Sequence, residues 1–145
     1  MKNSLRTLLV ATVACAGLGA GAVASPAVAA ANPYTAKSVC GSGYYQVDRH
    51  RAPSGASTTY LMYNGSSNCV VTIKNRDVGT PTHVWASLQR QSPYAIAKDD
   101  GGPYAYYAGP VRLRAKATCV KWGGGPGSTS GSRGDLFVSG WGHCG

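Results

Sequence analysis

The sequence predicts an all-β fold, a small antiparallel sandwich or barrel of about seven to eight short strands, stapled by two disulfides. Three observations point there. Short alternating apolar and polar runs recur from residue 44 to residue 141, broken by clusters of Gly, Pro and Asn. No segment carries an apolar stripe of 3.6-residue period. Glutamate is absent: all five acids among 145 residues are aspartate, while Gly numbers 20 and Pro 8, a composition foreign to helical bundles and coiled coils. The length fits one domain and excludes a multi-domain enzyme.

The chain opens with Lys2 and Arg6, an apolar run from Leu8 to Ala24, and Ser25-Pro26-Ala27-Val28-Ala29-Ala30. A basic start, an apolar middle and a small-x-small site describe a secretory signal peptide over residues 1–29, with the cut expected after Ala29, Ala30 or Ala31. The run has no basic stop-transfer flank, so no membrane anchor is expected after cleavage. Residues 30–145 are then the single mature domain. Loss of Lys2 and Arg6 takes the formal charge from +9 to +7, with twelve basic residues against five acidic.

Cys15 leaves with the signal, and Cys40, Cys69, Cys119 and Cys144 remain. Four cysteines in a small exported chain form a disulfide framework with three possible connectivities. Sequential pairing, Cys40–Cys69 and Cys119–Cys144, is the expected one, although spacing alone does not decide it. Each bond would close a loop of roughly 25–30 residues and contribute roughly 3 kcal/mol. No C-x₂-C pair is present, and His50, His83 and His143 are scattered, so no metal is expected, and no cofactor.

The first strand is expected over Tyr44–Arg49. Thr58–Tyr63 and Cys69–Lys74 follow, joined through Asn64-Gly65-Ser66-Ser67-Asn68, the best hairpin signal in the chain. Val84, Ala86 and Leu88 alternate with Trp85, Ser87 and Gln89 in the next strand. Asp99-Asp100-Gly101-Gly102-Pro103 reads as a turn cluster. Tyr104–Ala108 is a strand that Gly109-Pro110 breaks or bulges. Val111, Leu113 and Ala115 then alternate with Arg112, Arg114 and Lys116, the clearest pattern with one buried face. Thr118–Trp122 and Leu136–Trp141 complete the set, separated by a flexible loop over Gly123–Gly134.

Catalytic constellations are scarce. Glycosidase chemistry needs two carboxylates across a cleft, and the adjacent Asp99-Asp100 is better explained by turn formation. A basic ribonuclease would need a general acid and base around a phosphate. His50 between Arg49 and Arg51 is the one candidate cluster, and a solvated strand end explains it as well. No G-x-S-x-G elbow occurs, and Gly123–Gly127 lacks the G-K-[ST] ending of a phosphate loop. Arg133-Gly134-Asp135 and the sequon Asn64-Gly65-Ser66 are accounted for by turns.

Positive charge and aromatic rings remain. Arg112, Arg114 and Lys116 project from one strand face, with Lys121 expected to extend the row from the next strand. Such a stripe attracts anionic polymers with salt-dependent affinity; the alternative is a solubilising face. Among the dense tyrosines, Tyr104, Tyr106 and Tyr107 are the candidate aromatic contacts, with packing at a rim as the alternative.

Tyr106-Tyr107-Ala108-Gly109-Pro110-Val111, Cys119-Val120-Lys121-Trp122-Gly123-Gly124 and the final Cys144-Gly145 resemble the spore-associated protein A family of streptomycetes. Val39-Cys40-Gly41-Ser42-Gly43-Tyr44 and Asn68-Cys69-Val70-Val71-Thr72 are similar to its earlier landmarks, in the same order. The resemblance implies an exported actinomycete protein associated with spores or aerial structures, with no established catalytic activity. It transfers no functional residue, and Lys121 and Arg112–Arg114 are more basic than its pattern.

The expected function is therefore that of a secreted, non-catalytic protein of the spore surface or cell wall. Its expected partners are anionic wall or spore-surface polymers and not nucleic acid; self-association is left open. The alternatives are a small secreted enzyme, such as a nuclease or wall hydrolase, and a secreted inhibitor or toxin-like binding module.

Overall fold

Asn64 turns the chain as its sequence neighbourhood predicts: its Oδ1 accepts the backbone N–H groups of Ser66 and Ser67 at 3.1 and 2.8 Å. Around this turn the computed structural model, which describes residues 30–127 and 135–145, builds two antiparallel sheets. A short helix α1 (Ala36–Cys40) precedes β1 (Tyr45–Arg51), β2 (Ser57–Tyr63), β3 (Ser67–Lys74), β4 (Thr82–Arg90), β5 (Ala95–Tyr104), β6 (Tyr107–Arg114), β7 (Val120–Pro126) and β8 (Phe137–Val138). The first sheet has the order β1-β2-β3-β6 and the second β5-β4-β7-β8, so the eight strands form a sandwich. The expected signal peptide and the Arg133-Gly134 dipeptide lie outside the described residues.

The alternation read from sequence places the core. Val84, Ala86 and Leu88 of β4 and Val111 and Ala115 at β6 point between the sheets, where they meet Leu61, Val70, Val120 and Trp122. Strands β2 and β3 are buried on both faces. Their second face, with Met62, Cys69, Val71 and Ile73, packs under Ala36 and Cys40. The cover is α1, which the sequence did not announce because five residues cannot display a 3.6-residue period. Thr35 and Ser38 form its capping box: Ser38 N–H donates to Thr35 Oγ1 at 3.1 Å and Thr35 N–H to Ser38 Oγ at 2.9 Å. A helix this short is marginal in isolation, and the Cys40–Cys69 bond fixes its last residue to β3. The second disulfide is Cys119–Cys144, so both bonds follow the sequential pairing.

Two expected loops are strand. The Asp99–Pro103 cluster lies within β5, paired to β4 through a register shift between Val84 and Ala86. Gly101 takes φ +78°, and a Cβ there would stand 2.7 Å from Trp85 Cβ. Glycine thus serves a bulge here, using the same backbone freedom a turn would use. The turn that joins β4 to β5 lies instead over Gln91–Tyr94. Gly109-Pro110 forms a bulge inside β6, opposite the shift between Val70 and Thr72, so the two strands expected around it are one.

Gly123, Gly124 and Gly125, expected as loop, belong to β7 and pair with Ser87, Ala86 and Trp85 of β4. A Cβ on Gly124 would overlap Thr72 Oγ1 and lie 2.5 Å from Thr59 Oγ1. Those two buried hydroxyls bond each other at 2.9 Å. The missing side chain lets the sheets approach there, and the paired threonines satisfy each other's polar atoms.

The C-terminal segment closes one side. Phe137 lies edge-on to Trp122 at 4.9 Å and stacks on His50 at 4.0 Å. Val120 exchanges both backbone hydrogen bonds with Gly142, at 2.8 and 3.0 Å, beside the Cys119–Cys144 bond.

Gly124→Ala is expected to lower the unfolding free energy by about 2 kcal/mol, since overpacked core positions cost ~1–3 kcal/mol; urea melts of both proteins check this. Replacing Cys119 and Cys144 together by serine is expected to cost roughly 3 kcal/mol. Hydrogen exchange should then show faster exchange at Gly142 while β2 and β3 keep their protection.

Candidate surface-binding site

The outer face of the first sheet gathers cations and tyrosines because strand alternation leaves them nowhere else to point. Register pairs Arg49 with Tyr60 and Arg51 with Thr58. Thr58 accepts a hydrogen bond from Asn75 Nδ2 at 2.9 Å. These five residues enclose a hollow of about 220 Å³. Gly55 makes room for Arg51, whose Nη2 would lie 3.3 Å from a Cβ at that position. A register shift between Gln46 and Asp48 accompanies the placement of Asp48 against His143 at 3.1 Å, so the one carboxylate of β1 is engaged with the C-terminal segment.

A second hollow of about 460 Å³ is lined by Tyr34, Lys37, Tyr44, Tyr45, Gln46 and Tyr60 among others. A third, of about 360 Å³, has Tyr34, Tyr104, Tyr106 and Tyr107 in its wall. Tyr60 is common to the first two and Tyr34 to the last two. The three hollows thus share tyrosine walls, and among the described residues none of their lining side chains is acidic.

The expected aromatic contacts are therefore brought together. Tyr34 meets the rings of Tyr106 and Tyr107 edge-on at 5.3 and 5.0 Å. Its segment is tied down by Asn32, whose Nδ2 donates to the carbonyls of Lys74 and Tyr106 at 3.0 and 2.8 Å. Of the rings along these hollows, Tyr34, Tyr45, Tyr104 and Tyr106 are exposed. Sequence reasoning missed Tyr34, which carries no strand pattern, and placed Arg49 and Arg51 only in the candidate ribonuclease cluster with His50. Their alternation with His50 was the available signal: Arg49 and Arg51 line the outer hollow, while His50 stacks on Phe137. The ribonuclease cluster is thereby taken apart.

The expected basic row is only partly present. Arg112, Arg114 and Lys116 are all exposed. Arg112 is bound into the scaffold, since its Nη2 donates to the carbonyls of Val39 and Cys40 at 3.0 and 3.1 Å, satisfying the C-terminal end of α1. Lys121 does not extend the row, because β6 and β7 belong to different sheets. Its Nζ lies 4.9 Å from the Trp141 ring centroid, a cation–π contact on the second sheet. Among the described residues no group of His, Cys, Asp or Glu is arranged to hold a metal ion.

No protein-family model matches the chain, and no solved structure matches it. Among curated proteins it is similar to spore-associated protein A of Streptomyces coelicolor. The two are 43% identical over 122 residues, which cover 79% of this chain and 77% of the relative. The relative's name is that of a spore-associated protein and not of an enzyme.

Arg112→Ala is expected to destabilise the fold by about 1–2 kcal/mol, the worth of charge-assisted hydrogen bonds to otherwise open helix carbonyls. Thermal unfolding checks this, with Arg114→Ala, at an exposed position, expected to change stability by less than about 0.5 kcal/mol.

Proposed function

Since this chain belongs to the spore-associated protein A family, we propose that it is a secreted, non-catalytic protein that associates with anionic polymers of the spore surface or cell wall. The contact surface in this proposal is the outer face of the first sheet. One observation carries it: the three hollows share tyrosine walls, present Lys37, Arg49 and Arg51, and have no acidic side chain among their described lining residues. Guanidinium and ammonium groups attract anionic repeats. Exposed tyrosine rings offer flat, low-entropy surfaces for sugar faces, with the hydroxyl left at the rim. A linear chain can engage neighbouring hollows through the tyrosines they share.

Export draws support from two sides. The N-terminal run of residues 1–29 has the form of a signal peptide, and two disulfides suit an oxidising compartment. Against the enzyme alternative stands the position of His50, stacked on Phe137 and turned away from Arg49 and Arg51.

The test is retention of the purified, oxidised mature protein on isolated spore envelopes and cell walls, eluted with graded salt. Arg49→Gln combined with Arg51→Gln is expected to weaken retention about tenfold at low salt, from ~0.5–1 kcal/mol per exposed charge, and to matter little at high salt. Unchanged elution of the double variant would remove the outer face from the account. Absence of any retention, in wild type too, would remove polymer association itself.

A further inference from the structure

A second concave site lies at the end of the sandwich, between the sheets. The β2–β3 register sets Ser57 opposite Lys74, and both are buried, at 1% and 3% exposure. Lys74 Nζ donates to the carbonyls of Thr80 at 2.6 Å and Tyr104 at 3.2 Å. These bonds tie the loop before β4 and the end of β5 to β3, and they leave the third ammonium hydrogen over. Among the described residues no carboxylate is within ion-pair reach of Nζ. Burial lowers the lysine's pKa, and the charge of Asp77 opposes that shift only in part. Ser57 Oγ, also buried, has no hydrogen-bond partner.

Both residues line a cavity of about 260 Å³. Arg76, Asp77 and His83 share its wall, and Pro126 and Gly127 bound its far side, where Gly127 N–H donates to the His83 carbonyl at 2.7 Å. A buried cation that Asp77 compensates only in part and a buried hydroxyl without a partner each cost free energy. One ligand chemistry answers both. An oxyanion supplies acceptors for the lysine hydrogen, the serine hydroxyl and the Arg76 fork, and cancels the buried charge. Arg76 and Asp77 are exposed on the same wall, so the entrance carries one charge of each sign. The volume lies near the lower end for small-ligand sites, ~300 Å³.

We propose that this cavity is a binding site for a small oxyanion-bearing ligand, a carboxylate or a phosphate, held by Lys74 and Ser57 with Arg76 at the entrance. The proposal does not depend on the outer-face site, which shares none of these residues.

The experiment is a ¹H–¹⁵N NMR titration of the oxidised mature protein with sodium glucuronate and, separately, inorganic phosphate, with sodium chloride at matched ionic strength as the control. Saturable shifts at Ser57, Lys74, His83 and Gly127 with either oxyanion, and not with chloride, are expected. Saturation by glucuronate alone assigns a carboxylate ligand, and saturation by phosphate alone a phosphate. Ser57→Ala should weaken binding several-fold and Lys74→Met should abolish saturation. Absence of saturation with both anions overturns the proposal, as do shifts that persist unchanged in Ser57→Ala. The serine variant is decisive by itself if Lys74→Met does not fold.

Discussion

The sandwich depends on how closely its two sheets approach at β7. Gly124 faces the hydroxyls of Thr59 and Thr72 with no room for one methyl group, and those hydroxyls satisfy each other. The inner face of β2 and β3 is therefore polar at Thr59 and Thr72, next to Leu61 and Val70, which join the core between the sheets. Trp122, one of the largest buried side chains, fills the space two residues earlier on β7 and anchors Phe137. Strands β2 and β3 also bury apolar side chains outward, through Met62, Cys69, Val71 and Ile73. That second apolar face requires a lid, and α1 supplies it.

The lid in turn shapes the surface. Placing α1 over β3 sets Tyr34 and Lys37 beside Tyr44 and Tyr60, and Arg112 is drawn in to finish the helix. A residue that looks like part of a free basic stripe is thus part of the scaffold. The exposed cations of that face are Arg49, Arg51, Arg112 and Arg114 with Lys37 of α1, and of these Arg112 is engaged by the helix carbonyls.

Much of the fold was legible because its signals are local. The Asn64-Gly65 turn and the alternation at Val84–Leu88 and Val111–Ala115 each state their structure within a few residues. Other features are ambiguous by their chemistry. Asp99-Asp100-Gly101-Gly102 offers the backbone the same freedom whether it turns or bulges, and a strand made of Gly123, Gly124 and Gly125 has no side chains with which to show a period of two. Sheet membership is non-local altogether: Lys121 follows β6 closely in sequence yet projects from the other sheet. The same holds at the candidate site, where Tyr104, Tyr106 and Tyr107 are sequence neighbours and were found together, while Tyr34 joins them from the far N-terminal side of the domain.

The two disulfides enclose separate stretches of chain, residues 40–69 and 119–144, and neither ring contains the other. As a covalent graph the protein is two closed loops on an open string. Nothing has to be threaded through a closed loop for the second to form, and either bond can be made with the other absent. The first ring needs only the N-terminal half of the chain, so the cover over β3 can be locked before the glycine strand that sets the sheet spacing has been delivered.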